Sequence, residues 1–366
     1  MKFVKYETQS FKRRKLMNVI FHTKPGEIYD IFLSLWLANN FEYASEEKKE
    51  YGITKDTIFE EKIKTLRTNK KINLKNLERY FHKEIEPSEI LSFAGMWNNP
   101  NLDRYLEFLR NTDDLKIRKS IIKLVMSKEI DECENEDDIE KMALNNAAVL
   151  DYIDDKNINV ELKWEIFRLL TNKQKYFDDF TQFINEYSDT YKILHKERKK
   201  ELDKFNVDFK RNIEEHGVTY LKEFTNNFID FDKYENIYIS SSLPIGIVVD
   251  MKPEEKSCYV IVGPRTKDIV KGTAGKSELE KNIIVLKNIS DNTRFQIMKK
   301  LVNRDYYGLE IAKAFGISKT AVSRHMDFLL LTGVVRVERK EHKAYYSLDK
   351  SVLRKTVQFL TKEFKL

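Results

Sequence analysis

A twenty-residue stretch near the C-terminus, GISKTAVSRHMDFLLLTGVV at residues 316–335, places the tightest limits on the fold. Gly316 can adopt the left-handed backbone that ends a helix, and Ser318 can cap the helix that follows. Gly333 then stops that second helix. Two short helices joined by so tight a turn predict a helix-turn-helix, with its first helix over residues 307–315.

A further helix is predicted immediately before this pair. Ser290 or Asp291 can cap a helix over residues 292–302. The residues expected on its buried face are Phe295, Met298, Leu301 and Val302. The residues expected on the buried face of the next helix are Leu309, Ile311, Ala312 and Phe315. The three helices together can enclose one small core.

A helical wheel separates the inner and outer faces of the helix that follows the turn. At 100° per residue, Val322, Met326 and Leu329 fall on one arc and face the core, while Thr320 and Arg324 point to the opposite side. The outer face near the helix start consists of Lys319, Thr320, Ser323 and Arg324. Hydroxyls and cations of this kind suit base edges and phosphates in a DNA major groove. The pattern therefore predicts a recognition helix.

A β-hairpin is predicted after this helix. Residues 334–339 and 344–348 are rich in β-branched and aromatic residues and read as two strands. The basic residues of the hairpin and its tip are Arg336, Arg339, Lys340 and Lys343. We expect these four side chains to neutralise DNA phosphates beside the groove, so that affinity falls steeply with salt.

The distribution of charge supports an anionic partner for the C-terminal quarter. The whole chain has a net charge of +6. Residues 281–366 hold 18 of the 65 Lys and Arg residues but only 8 of the 59 Asp and Glu residues. Because the positive charge is concentrated in one part of the chain, that part is the one expected to meet a polyanion.

Three segments of this quarter, ISDNTRFQIMKKL, LEIAKAFGISKTAVSRHMDFLLLTGVV and AYYSLD, closely resemble the ArsR/SmtB family of winged-helix transcriptional regulators in order and spacing. The resemblance implies DNA contacts at Lys319, Thr320, Ser323 and Arg324, the residues that the wheel selects independently. It also implies a homodimer through helices that flank the module. An apolar stripe on the last helix, which can supply that interface, consists of Leu353, Val357, Leu360 and Phe364.

Two features depart from the family pattern. Metal-sensing members carry Cys on the second helix or acidic and His ligands on the last, whereas residues 306–311 contain no Cys and residues 352–366 no His. No metal site is therefore predicted. Glu341 occupies the wing turn, where many members have Gly. Family members are usually as long as this module alone, so the chain resembles a long form with a large, mainly helical N-terminal region.

The scarcity of glycine and proline predicts long helices in the rest of the chain. There are 11 Gly and 6 Pro in 366 residues, and the run 174–216 contains neither, which predicts one or two long amphipathic helices. Helical patterns, among them residues 160–170, fill the preceding part. The strands expected outside the wing are residues 15–21, 237–240, 245–250 and 258–262.

These patterns predict a mainly α fold with minor β (α+β). We expect a mainly helical N-terminal domain at residues 1–230, acting as a sensor or scaffold. Residues 231–280 supply short strands and a linker, and residues 281–366 form a winged helix-turn-helix domain.

Other chemistries have little support in the sequence. Cys133 and Cys258 are far apart, and the His residues never have metal-ligand spacing. The GKS at residues 275–277 resembles a phosphate-binding loop, but Val270 stands where that loop needs Gly. The acidic cluster 131–140 lacks the order of a calcium loop. We therefore expect no catalytic residue, metal or cofactor, and we predict that the protein is not an enzyme.

The sequence predicts a cytoplasmic protein, since it has neither a signal peptide pattern nor an apolar run long enough to span a membrane. The predicted function is sequence-specific regulation of transcription, as a repressor that binds a pseudo-palindromic operator in double-stranded DNA as a homodimer. Two alternatives stay open. The winged helix can instead dock another protein onto a helical scaffold, or residues 1–280 can bind a small-molecule effector.

Overall fold

The computed structural model describes residues 4–7, 16–42, 66, 72–83, 85, 90–128, 136–225, 229–242, 247–252, 254–264, 266, 278–317, 319–340 and 343–366. Helices dominate these residues and the strands form small sheets, so the predicted mainly α fold with minor β is confirmed. The GKS segment, and Cys133 with the first half of its acidic cluster, lie outside the described residues.

Helices and strands follow one another along the described part of the chain. The helices are α1 (Lys24–Asn39), α2 (Leu74–Tyr80), α3 (Phe93–Asn98), α4 (Leu102–Arg110), α5 (Asp114–Lys128), α6 (Glu136–Met142), α7 (Asn146–Asp154), α8 (Val160–Thr171), α9 (Lys173–Phe224), α10 (Glu278–Ile289), α11 (Asn292–Leu301), α12 (Gly308–Phe315), α13 (Lys319–Leu331) and α14 (Lys350–Phe364). The strands are β1 (Val4–Glu7), β2 (Leu16–Phe21), β3 (Asn236–Ser241), β4 (Ile247–Lys252), β5 (Ser257–Val262), β6 (Tyr306–Tyr307), β7 (Val335–Lys340) and β8 (Lys343–Leu348).

The chain divides into two compact units. The helical unit contains residues 23–203 and 241–244, and the sheet and winged-helix unit contains residues 1–22, 204–240 and 245–366. Each unit is built from separate stretches of the chain, so sequence neighbours do not always share a unit.

The helical unit is organised around α1, a helix that is apolar on almost all sides. Residues 28–38 of α1 are all buried, as expected for a helix without a polar face. The Trp36 indole N–H donates to the His82 carbonyl at 3.0 Å, which satisfies the polar group of this buried ring. A second apolar cluster joins α5, α6, α7 and α8, with Ile122 and Val149 completely buried.

The long helix α9 carries one interruption. Gly217 has φ 56° and ψ −138°, which is not helical, and it divides the helical span into a long and a short segment. A residue with a Cβ disfavours positive φ, so glycine is suited to this position. The sequence prediction of one or two long helices is confirmed, with the break at the first glycine after the predicted run.

The larger sheet combines the start of the chain with its later strands in the order β1-β2-β3-β5-β4. β2 runs parallel to β3, with Val19 opposite Ile237, and β4 runs antiparallel to β5, with Val249 opposite Val260. The predicted strand 15–21 therefore pairs with the strand predicted at 237–240. Side chains from β2, β3, β5 and the C-terminal part of α9 form the core of this region.

The winged-helix region encloses a separate core. Its completely buried members include Ile297, Ala312, Met326 and Leu329. The structure corrects the face predicted for α11, because Phe295 and Val302 are about half exposed while Ile297 lies inside with Met298 and Leu301. The two exposed residues flank the buried arc instead of lying on it.

Candidate nucleic-acid interface

The turn between α12 and α13 has the backbone that the sequence predicts. Gly316 has φ 62° and ψ 33°, and both it and Ile317 donate their N–H groups to the Ala312 carbonyl at the end of α12. A left-handed residue that closes the helix end in this way is favoured as glycine. Ser318, the predicted cap of α13, lies outside the described residues.

The start of α12 is fixed by polar contacts that the sequence analysis missed. Glu310 accepts the Tyr307 backbone N–H at 3.1 Å, and Arg304 donates to the Glu310 carboxylate at 2.8 Å. The Arg304 guanidinium also lies 3.7 Å from the centroid of the Tyr306 ring. Glu310 stands where a capping box has its glutamate, but the N-cap is Tyr307 instead of Ser or Thr, so the sequence carried only half of that signal.

The inner face of α13 is deeply buried, as the wheel predicts. Val322, Met326 and Leu329 are at most 1% exposed and belong to the winged-helix core. Phe328 is also buried, and the Arg294 guanidinium lies 4.6 Å from its ring centroid. Since Arg294 also donates to the Asn288 carbonyl at 2.7 Å, α13 is held against α11 and the end of α10.

The outer face of α13 is open to solvent in its described part. Ser323 is exposed and Arg324 is half-buried, both in the N-terminal half of the helix. Lys319 and Thr320 form the first turn of the helix, but their side chains lie outside the described part. The structure therefore places two of the four side chains predicted to read bases outside the core, Arg324 on the opposite side and Ser323 on the flank.

His325 lies between the two faces, next to the helix before it. Its Nδ1 is 3.9 Å from the Asp291 carboxylate, which accepts the Arg294 backbone N–H at 2.8 Å and caps α11. The cap predicted at Asp291 is thereby confirmed. The histidine packs toward the beginning of α11.

The wing is a three-stranded antiparallel sheet in the order β6-β8-β7. β7 pairs with β8 from Val335 opposite Leu348 to Lys340 opposite Lys343. The first strand is therefore shifted by one residue from the predicted 334–339, and the second begins one residue before the predicted 344–348. The side chains of Arg339, Lys340 and Lys343 lie outside the described part. Hydrogen bonds from β6 to β8 attach the hairpin to the start of α12.

Arg336 on the wing is exposed but already has an acidic partner. Its guanidinium donates to the Asp349 carboxylate, which also accepts the Ser351 backbone N–H at 2.9 Å at the start of α14. Burial opposes ionisation of Asp349, but the hydrogen bonds from Ser351 and Arg336 hold the pKa of this carboxyl below its ordinary value. A phosphate that binds Arg336 must compete with this carboxylate.

The stripe predicted on the last helix has an inner and an outer part. Leu353 packs against the winged-helix core and Leu360 is half-buried, whereas Val357 and Phe364 are well exposed. The helix instead buries Phe359 and Thr356. Because α10 packs beside α14, its exposed Leu279 and Ile283 add to the apolar surface of these flanking helices.

The described part of the chain has neither a cluster of metal ligands nor a helix suited to a membrane. There, His, Cys, Asp and Glu side chains form no group of three or more that could hold a metal ion. Burial raises the pKa of the Cys258 thiol, so this cysteine is unsuited to nucleophilic chemistry. None of the described helices has the length and apolar composition needed to cross a membrane.

Comparison with known proteins points to the same region. The family described as "Bacterial regulatory protein, arsR family" matches residues 291–337, from the cap of α11 into β7. Over 76 residues the chain is 37% identical to the Transcriptional repressor SdpR of Bacillus subtilis (strain 168). That alignment covers 84% of the repressor and 21% of this chain.

Proposed function

Because the chain belongs to the arsR family of bacterial regulatory proteins, we propose that it is a transcriptional repressor that binds double-stranded DNA as a homodimer. The observation that carries the proposal is the division of α13 into two faces. Val322, Met326 and Leu329 anchor one face in the core, while Ser323 and Arg324 lie on the other. A helix held in this way can enter the major groove without disturbing its own packing.

Each side chain of the outer face has a chemical task in the groove. The Arg324 guanidinium can donate two parallel hydrogen bonds to a guanine, which is the commonest specific contact with a base. The Thr320 and Ser323 hydroxyls can donate to or accept from base edges. Lys319, in the first turn, is suited to a phosphate at the groove edge.

The wing supplies contacts that do not depend on sequence. Arg336, Arg339, Lys340 and Lys343 lie on the two strands or at their connected ends. In the proposal they neutralise phosphates, and each contact adds roughly −0.9 to the slope of log affinity against log salt. Arg336 exchanges its Asp349 partner for a phosphate, so it contributes less than an unpaired arginine would.

A homodimer gives the operator its symmetry. We propose that Leu353, Val357, Leu360 and Phe364 contribute to the dimer interface, with the exposed Val357 and Phe364 at its centre. Two copies of α13 then meet half-sites about 34 Å apart on a pseudo-palindromic operator. The repressor role is suggested by the name of the relative, since a protein on an operator can exclude the transcription machinery.

The rest of the chain is assigned by the same proposal. Residues 281–366 form the DNA-binding domain, residues 231–280 connect it, and residues 1–230 sense or scaffold. The proposal requires no catalytic step, and DNA as the partner places its action in the cytoplasm. Two alternatives stay open, a winged helix that docks another protein and a small-molecule effector bound by residues 1–280, and the experiment below addresses both.

Selection of bound sequences from a random pool of double-stranded DNA tests the proposal. The full-length protein should enrich a pseudo-palindrome, and binding to it should weaken steeply as salt rises. Repeating the selection with cell extract reports an effector as a change in the enriched fraction. If no sequence is enriched in either condition, the winged helix is a protein-docking module instead.

A further inference from the structure

Helix α8 of the helical unit has two apolar faces. Its inner face, formed by Leu162, Ile166 and Leu170, is buried in the cluster with α5, α6 and α7. On the outer face, Val160 is 74% exposed, Trp164 53% and Phe167 38%. A helix on the surface of a monomer normally directs polar residues to solvent, so this outer stripe is a candidate contact surface.

The exposed aromatic rings contact each other. The Trp164 and Phe167 rings are stacked, with centroids 5.1 Å apart and planes 6° from parallel. The Arg168 guanidinium lies 5.7 Å from the centroid of the Trp164 ring. Side chains that are ordered before binding lose little conformational entropy when a partner covers them, and tryptophan is enriched among the residues that dominate interfaces.

The charges beside the stripe are arranged for pairing of the helix with itself. Viewed down the helix from Trp164, Glu161 lies at roughly +60° and Arg168 at roughly +40°, on the same flank. Val160 and Phe167 lie on the other side of Trp164. Glu161 and Arg168 are also equally far along the axis, about 5 Å, from the midpoint between residues 164 and 165.

This arrangement is self-complementary under a two-fold rotation. When two α8 helices pack antiparallel about that midpoint, a flank of one helix faces the same flank of the other. Glu161 of each copy then lies opposite Arg168 of the second copy, so the pairing forms two ion pairs around a centre of stacked aromatic rings. An isologous contact requires such matching of a surface with itself.

Arg168 retains donors for this pairing. One of its guanidinium nitrogens is 3.3 Å from the Glu165 carboxylate, but Glu165 also accepts from Arg79 at 2.7 Å. A guanidinium has five N–H donors, and a single carboxylate shared with another arginine leaves most of them available. Glu161 is exposed at the start of α8, where its carboxylate can reach across a two-fold axis.

We propose that the outer face of α8 is a self-association surface whose occupant is a second copy of this chain, packed antiparallel about Trp164. The surface is separate from the stripe on α14. A chain with two different isologous surfaces can assemble pairs of dimers, which would bring two DNA-bound dimers together. The proposal concerns α8 alone and stands whether or not α13 binds DNA.

Sedimentation velocity of the full-length protein over a wide concentration range tests the surface. The wild type should form an assembly that Trp164→Ser combined with Phe167→Ser weakens by about tenfold or more in dissociation constant. The matched control is Ile193→Ser, because Ile193 on α9 is also an exposed apolar residue. The control should assemble as the wild type does, and circular dichroism should be unchanged in both variants.

Charge exchange tests the antiparallel geometry without removing apolar surface. Glu161→Arg alone should weaken the assembly, since it places two arginines together, and adding Arg168→Glu should restore it. If the Trp164 and Phe167 variant assembles as the wild type does at every concentration, the surface belongs to a different protein and the proposal is wrong. Failure of the double exchange to restore assembly would equally overturn it.

Discussion

Helices α8 and α13 have almost the same length, but the outer face of α8 is apolar and that of α13 is polar. They contain 12 and 13 residues, and each buries one apolar face in a local core. The outer face of α13 carries Ser323 and Arg324, whereas that of α8 carries Trp164 and Phe167. The inner faces are alike because both stabilise the fold. The outer faces differ in chemistry, which is why we propose DNA as the partner of α13 and a second copy of the chain as the partner of α8.

The two outer faces also differ in how their charges are used. On α13 the charges are suited to a polyanion, whose phosphates attract any arrangement of cations. On α8, Glu161 and Arg168 lie beside the aromatic rings. This arrangement suits a partner surface that presents an arginine opposite Glu161 and a glutamate opposite Arg168. The paired charges of α8 require a partner of defined geometry, whereas Arg324 on α13 can meet a phosphate although the exposed Asp327 lies on the same helix.

The largest effect is expected from the inner face of α13. Leu329→Ala should destabilise the winged-helix region by about 2–5 kcal/mol, because it leaves a cavity in a fully packed core. Hydrogen exchange of the α13 amides in urea measures the loss within the full chain. The control is Phe295→Ala, a larger truncation at a half-exposed position, which should cost well under half as much. Equal losses would place Phe295 in the core after all.

The second-largest effect distinguishes the role of the outer face of α13 from that of the outer face of α8. Arg324→Ala should weaken binding to the selected DNA by about 1–3 kcal/mol while leaving the sedimentation profile unchanged. Trp164→Ser should weaken self-association in sedimentation while leaving DNA binding unchanged. The charge-matched control is Arg211→Ala on α9, which removes an exposed arginine outside the winged helix. Unchanged DNA binding by the Arg324 variant would mean that the assigned face of α13 is wrong.

A substitution in the turn between α12 and α13 is expected to have a smaller effect. Gly316→Ala should destabilise by about 1–2 kcal/mol, because alanine resists the left-handed backbone although its Cβ would meet no neighbouring atom. Gly308→Ala provides the control, since that Cβ also meets nothing and the backbone there is ordinary. Thermal unfolding should show the second variant equal to or slightly above the wild type. Matching losses would indicate that the backbone at Gly316 is not left-handed.

The smallest effect concerns the wing. Asp349→Asn keeps a side chain that can cap α14 but removes the charge that pairs with Arg336. DNA affinity should rise by roughly 0.2–1 kcal/mol, as expected for releasing an exposed partner from an ion pair. Fluorescence anisotropy at two salt concentrations measures the change. A loss of affinity would mean that Arg336 does not contact DNA.

The same variant has a defined pH dependence. The pKa of Asp349 is lowered in the folded protein, so its stabilising contribution is fully present above the unfolded pKa of about 3.9. That contribution is lost as the pH falls through the folded pKa. The difference in unfolding free energy between wild type and Asp349→Asn should therefore be constant near neutral pH and shrink below about pH 4.

Much of the winged helix was predictable from local pattern. The spacing of Val322, Met326 and Leu329 indicates a buried face, and glycine at 316 indicates a helix end, because both depend on residues within a few turns of one another. The capping role of Asp291 follows from the same local rules. The match to the arsR family confirms the predicted family, whose defining segments are contiguous in the sequence.

The errors and omissions arise where packing decides between similar residues. On α11, both Phe295 and Ile297 are apolar, and only the positions of α12 and α13 determine that Ile297 lies inside. The pairing of Arg336 with Asp349 depends on how β7 and β8 place the start of α14. Neither the burial of Ile297 nor the pairing of Arg336 with Asp349 can be inferred from the residue spacing within a single helix or strand.

The sequence by itself determined the helices, the turn at Gly316 and the polar outer face of α13, because each follows from the preferences of neighbouring residues. Only the tertiary structure decided that β2 pairs with β3, whose residues are more than 200 positions apart. It also decided that Trp164 lies outside, although aromatic residues at helical spacing are more typical of a core. Burial depends on which surfaces meet after the chain has folded, and that is a property of the whole arrangement of elements.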